Sequence, residues 1–304
     1  MTVEHSTLSR LNWRLRDCFF QDELLRELAE DSYFWSGQQF RGNLCLEVGK
    51  SLGVRAEIAT EVATFTELLH NASLIHDDII DLDEQRRGHP TIWKKIGKEK
   101  AILIGDLLIA KAFEIALSAK VSDALRVSWG SIISRSVLHA TNGAYFELDF
   151  DLSDQSRLLD KYHEVATLKT GSLITLPIRC LATAAELNNT VSTQLSEHFN
   201  SLAVAYQIRD DQADFYGFKK GRKKSSDMVN DRPNIYHLMS STAGNRNDFE
   251  KIIYSYHTGL VTNAVEGIYN INRGLMGFVE KDMLSFVQLR RRFSKVPPQL
   301  TAVS

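Results

Sequence analysis

Apolar residues recur every three or four positions through most of this chain, a period that places them on one face of an α-helix. The pattern runs over 8–28, 41–52, 57–81, 98–119, 122–148, 158–185 and 191–215, and in weaker form over 234–293. Strand-like alternation is nearly absent. Gly, Pro and basic residues gather between the runs, at 86–91 and 217–226. The pattern predicts an all-α chain: a helical bundle, one domain over 1–304, with sites built from side chains on facing helices.

Composition narrows the possibilities. A chain of 304 residues with 43% hydrophobic residues can bury a large core, and 5 Pro and 17 Gly leave room for long helices. A formal charge of −2 gives no reason to invoke nucleic acid. No Gly/Ser/Pro-rich linker or charge block divides the chain. Cys18, Cys45 and Cys180 are odd in number, far apart and without a CxxC spacing, so they predict neither zinc nor disulfides and fit a reducing cytoplasm. No apolar run is long enough to cross a bilayer, and the first dozen residues are polar. A soluble, cytoplasmic protein is expected.

Two acidic clusters break the apolar pattern. Asp77, Asp78 and Asp81 close one predicted helix, and Asp210, Asp211 and Asp214 lie near the end of another, with the same internal spacing. Residues four apart share a helix face, so Asp77 with Asp81, and Asp210 with Asp214, each form a small oxygen claw. Carboxylates at this density repel one another and oppose the helix dipole, which predicts compensating cations. Mg²⁺ fits because it takes few carboxylates, keeps waters and completes its shell with phosphate oxygens. Each cluster alone also reads as a solvated helix end; the matched pair favours a metal groove.

Basic residues complete the pattern. Arg86 and Arg87, followed by Gly88, His89, Pro90 and Thr91, directly follow the first cluster, and adjacent guanidiniums suit phosphate oxygens. Lys169, followed by Thr170 and Gly171, interrupts an apolar run; it reads either as an inward cation or as a lysine snorkelling from an apolar face. Lys219, Lys220, Arg222, Lys223 and Lys224 read as a solvated loop with one or two residues closing over phosphate.

The stretch from Leu69 to Asp81, with Arg86-Arg87-Gly88-His89-Pro90-Thr91 after it, resembles the first aspartate-rich motif of the trans-isoprenyl diphosphate synthase (polyprenyl synthetase) family. Gly105-Asp106-Leu107-Leu108, Lys169-Thr170-Gly171 and Gln207-Ile208-Arg209-Asp210-Asp211 with Asp214 match further landmarks in order, so the resemblance covers roughly residues 35 to 240. It implies an all-α fold around a central cavity, a homodimer, and an allylic prenyl diphosphate held by three Mg²⁺ ions between the two motifs. Arg86, Lys169 and Thr170 would serve the allylic diphosphate, with Gln207 assisting, and Asp77, Asp78, Asp81, Lys169 and Asp210 would be catalytic. Arg41, His70 and Arg87 would serve the acceptor, isopentenyl diphosphate. The departing diphosphate would take the proton, leaving His76 a packing or supporting role.

Departures from the family pattern bear on the reaction. Where members carry a GGKxxR-type motif this chain has Ser36-Gly37-Gln38-Gln39-Phe40-Arg41, so Arg41 stays and the lysine is Gln38. One charge-assisted hydrogen bond is worth about 1.5–3 kcal/mol, so its loss weakens acceptor binding by roughly one to two powers of ten. After the second cluster, Gly221-Arg222, Asp227 and Asp231-Arg232-Pro233-Asn234 replace a lysine-containing pattern. Elongation with isopentenyl diphosphate leads, with prenylation of another acceptor and terpene cyclisation beside it. A non-catalytic subunit of a heteromeric synthase is the alternative of another class. Leu69, Ala72 and Ser73, one and two turns before the first cluster, carry no bulky aromatic, so the cavity floor is expected to admit at least a C15 allylic substrate or a C20 product.

Overall fold

The computed structural model describes residues 3–37, 39–150, 157–218, 232–242 and 246–290. Helices account for nearly every expected run. They are α1 (Val3–Phe20), α2 (Glu23–Arg26), α3 (Ser32–Trp35), α4 (Phe40–Ser51), α5 (Ala56–Ile80), α6 (Ile92–Ile96), α7 (Lys98–Ser118), α8 (Asp123–Leu148), α9 (Leu158–Ala166), α10 (Ser172–Ala184) and α11 (Asn189–Phe215). The described chain continues through α12 (Ile235–Thr242), α13 (Arg246–Ile271), α14 (Met276–Phe278) and α15 (Leu284–Val287). Ser122 and Asn188 start α8 and α11 by accepting the Leu125 and Val191 amides.

The differences from the periodicity have local causes. The run 8–28 breaks because Asp22 accepts the amides of Leu24 and Leu25 and begins a new helix. The run 158–185 stays helical but passes through a π-turn at Thr167–Gly171. The run 234–293 breaks at Asn272, whose extended backbone and side-chain bond to the Gly274 amide end α13. The loop at 86–91 contains a two-stranded ladder, β1 (Gln85–Arg86) and β2 (His89–Pro90). Arg87 and Gly88, at φ 53° and 82°, form its two-residue turn, and glycine supplies the second left-handed position without a Cβ clash.

Helix α5 lies centrally, packed by α1, α4, α7 and α10, while α10 bridges α8 and α11. Its buried face includes Phe65, Leu68, Leu69, Ala72 and Ile75. Phe65 meets Trp129 edge-on at 5.7 Å, and Trp129 Nε1 donates to the Cys180 carbonyl at 3.0 Å, tying α5, α8 and α10 together. Burying one such side chain is worth about 1.5–3 kcal/mol. Among the described residues no helix is long and apolar enough to cross a membrane.

Candidate active site

The last turn of α5 splits its aspartates by environment. Asp77 and Asp81 line a cavity of about 1300 Å³, whereas Asp78 is 1% exposed. Its Oδ2 accepts from the Tyr33 hydroxyl at 2.7 Å, and its Oδ1 accepts from Arg86 Nε at 2.8 Å and Nη2 at 2.6 Å. The hairpin turn sends Arg86 back over the helix end. Thr91 Oγ1 and Trp93 Nε1 fasten the loop by donating to the Asp83 carbonyl, each at 2.8 Å. Burial pushes the Tyr33 phenol up, and Asp78 adds to this. Burial acts against the Arg86 charge, but Asp78 outweighs it and holds the guanidinium protonated.

On the opposite wall one aspartate faces the cavity and two are buried. Asp210 lines the cavity, while Asp211 is 1% exposed although it reaches the cavity edge. Asp211 Oδ2 accepts from the Tyr162 hydroxyl and the Ile235 amide, both at 2.9 Å, and Oδ1 accepts from Gln207 Nε2 at 2.8 Å. Gln207 Oε1 in turn accepts from Thr170 Oγ1 at 2.9 Å. Thr170 and Gln207 therefore reach the second motif through Asp211 while lining the cavity themselves. Asp214 is buried, 1% exposed.

Lys169 points inward. Its ammonium donates to Glu147 Oε2 at 2.5 Å and lies 3.5 Å from Asp77 Oδ1. Burial lowers its proton affinity, but Asp77 and Glu147 outweigh this and keep it charged; burial pushes the Glu147 carboxyl up. Two backbone features aim it. The π-turn reorients residues 167–171 within a continuous helix. Gly143 on α8 allows close approach, since a Cβ there would sit 2.4 Å from the Lys169 amide nitrogen. The snorkelling alternative for Lys169 therefore fails.

Arg232 supplies another cation, donating from Nε to Asp81 Oδ1 at 2.9 Å. Lys169, Arg232 and Arg86 thus compensate much of the acidic charge that the sequence assigned to metal ions. Among the described residues no three Asp, Glu, His or Cys side chains converge into a ready-made cation site. The donor set nevertheless fits Mg²⁺: two walls offer cavity-facing carboxylates, and this ion needs only one or two of them plus phosphate oxygens and water. Asp78 and Asp211, grouped with the metal-organising residues on sequence grounds, are occupied by protein donors in this structure.

The other expected residues line the same cavity. Arg41 Nη1 donates to His70 Nε2 at 3.1 Å, which places the neutral imidazole's proton on Nδ1. Burial depresses the His70 pKa well below its usual value, and Arg41, Arg87 and Arg86 add to this. Arg41 Nε and His70 Nδ1 are buried donors without a hydrogen-bond partner among the described residues. Arg87, Leu69, Ala72 and Ser73 line the same cavity. His76 Nε2 sits 3.5 Å from Asp106 and 3.4 Å from the Ile102 carbonyl. Gln38, the basic set at 219–224, Asp227 and Asp231 lie outside the described residues.

Sequence reasoning missed Tyr33, Tyr162 and Glu147. Only Glu147 carried a signal, an acid four residues after Gly143 and so on the same helix face. The tyrosines meet their aspartates 45 and 49 residues away, which no local pattern marks.

The model of the family described as polyprenyl synthetase matches residues 22–268. The chain is 29% identical over 234 residues to a short chain isoprenyl diphosphate synthase of Methanocaldococcus jannaschii, covering 75% of this chain and 69% of that one. It is 28% identical over 299 residues to a farnesyl diphosphate synthase of Micrococcus luteus, covering 96% and 98%. Among solved structures, a geranylgeranyl pyrophosphate synthase superposes with a TM-score of 0.78 at 18% identity, covering 96% of this chain and 100% of that one. A polyprenyl synthase from Caulobacter crescentus CB15, complexed with calcium and isoprenyl diphosphate, gives 0.71 at 20% identity, covering 93% and 92%.

Proposed function

As a member of the polyprenyl synthetase family the chain is a prenyltransferase, and we propose that it ionises an allylic prenyl diphosphate and joins it to isopentenyl diphosphate, giving a trans-prenyl diphosphate of C20 or longer. The observation that carries this reading is one cavity lined by Asp77, Asp81 and Asp210 from two walls, with Lys169 and Arg86 beside them. In it, the allylic diphosphate sits between the walls, where Lys169 and Arg86 neutralise the leaving group. Three Mg²⁺ ions, bound with the diphosphate, supply the remaining charge stabilisation. Asp78 and Asp211 keep Arg86 and Gln207 in place. Arg41, His70 and Arg87 hold the acceptor diphosphate, and the buried unpartnered donors of Arg41 and His70 support that role. The departing diphosphate accepts the proton.

The reading extends to a single isoprenoid synthase domain over 1–304 that acts as a homodimer. Cytoplasmic placement is supported by three free, buried cysteines. The test is incubation with Mg²⁺ and C10, C15 or C20 allylic diphosphates, with and without isopentenyl diphosphate, followed by mass spectrometry. A longer diphosphate formed only with isopentenyl diphosphate is the expected result. Hydrocarbon or alcohol formed without it would replace elongation by cyclisation, and inert substrates throughout would point to another acceptor or a non-catalytic subunit.

A further inference from the structure

Beyond the carboxylate walls, three aromatic rings from distant parts of the chain border the cavity near Arg41. Phe286 of α15 lies between Phe40 of α4 and Tyr206 of α11. Its centroid is 3.7 Å from that of Phe40, with 6° between planes, and 4.1 Å from that of Tyr206, with 1° between planes. Spacings so near the carbon contact distance of about 3.5–4.0 Å leave little lateral offset. Aromatic pairs prefer offset or edge-on arrangements, so mutual attraction of the rings does not explain the position of Phe286. Its backbone does. Phe278, Val279, Met283 and Val287 are buried around it. His257 Nε2 donates to the Val287 carbonyl at 2.9 Å. Gln212 of α11 clamps Arg290 at two points, accepting its amide at 2.7 Å and donating to its carbonyl at 3.2 Å. Phe286 is therefore a fixed wall, held from the helix that carries the second aspartate cluster.

We propose that Phe286 is the residue that sets acceptor size, because it fills volume that a longer alkyl branch on the acceptor alkene would need. The inference rests on the assignment of Arg41 and His70 to the acceptor under the proposed function. In that reaction the allylic C–O bond breaks with its electron pair leaving on diphosphate. The acceptor π pair forms the new C–C bond, and a neighbouring C–H proton passes to diphosphate, so no oxidant or reductant is needed.

The test compares wild type, Phe286→Leu and Phe286→Ala at one saturating allylic diphosphate. The acceptors are isopentenyl diphosphate and homologues whose methyl branch is lengthened to ethyl or propyl. A methylene too many in an apolar pocket costs roughly 10–200-fold in kcat/KM, so wild type should fall by at least about 10-fold per step. Phe286→Ala should use the propyl homologue at least about 10-fold better than wild type does, with Phe286→Leu between them. The KM for the allylic diphosphate should stay within about twofold, as expected when uniform binding at that site is untouched. An unchanged acceptor ranking in active variants would overturn the inference alone, as would equal rises in both KM values. If wild type releases diphosphate from the allylic substrate yet uses none of the acceptors, the proposed acceptor site falls and takes this inference with it.

Discussion

Asp77 and Asp78 adjoin in sequence but not in surroundings: Asp77 faces the cavity 3.5 Å from Lys169, and Asp78 is sealed beneath Tyr33 and Arg86. Asp77→Asn is expected to lower kcat by about 10²–10³-fold, the cost of removing one preorganised electrostatic contact, while leaving the urea midpoint near that of wild type. Asp78→Asn breaks a buried pair and should cost about 3–5 kcal/mol of stability as well as activity. Equal loss of stability in the two variants would refute this division. His70 adds a pH dependence. Its folded pKa lies well below the unfolded value because of burial, then Arg41, Arg87 and Arg86. The unfolded chain therefore binds the proton first as pH falls, so the stability is fully present above about pH 6.5 and is lost below it. Urea titrations should show a shallower decline between about pH 6.5 and 5 in His70→Gln than in wild type. The residual slope would include His163 and His257, whose pKa values burial also depresses. The spacing of the aspartates put Asp77 and Asp81 on one helix face, and both line the cavity, whereas Asp214 is buried and does not line it beside Asp210; which carboxylate each tyrosine covers depends on distant packing.

At the scale of elements, the long helices were legible because their buried faces repeat at the helical period, as along α5 from Phe65 to Ile75. Their interruptions were not. The π-turn that aims Lys169 leaves the apolar spacing of 158–185 intact, and the use of Gly143 becomes visible only once α8 lies against that turn. The hairpin after α5 hides in a basic loop whose Arg87-Gly88 pair carries its turn. On α5 itself, Leu69, Ala72 and Ser73 line the cavity. Ala72→Phe should therefore shorten the product by at least one isoprene unit, read by mass spectrometry of the released diphosphates. An unchanged product length would move the floor to the wall formed by Ile109 and Val137.

For the whole molecule, helices α7 and α8 pack together and carry large apolar side chains at the surface: Leu103, Leu117, Val127, Leu138, Tyr145 and Phe146. Such concentrations of exposed apolar side chains mark association surfaces. Sedimentation equilibrium is expected to give a dimer for wild type and a monomer for the double substitution Leu103→Glu and Leu138→Glu; a wild-type monomer would remove the homodimer from the proposal. Periodicity disclosed the two helices and not this surface, because an apolar position reads alike whether it meets its own core or another chain. The pairing of Arg232 with Asp81 spans 151 residues, and that of Ser51 with Asn272 spans 221. Closures of this length carry a loop-entropy cost before any contact repays it, so they form late in folding. The Asp81–Arg232 pair on the cavity wall therefore forms only after residue 232 has been synthesised. A half-made chain presents Asp81 long before Arg232, which pairs with it, has left the ribosome.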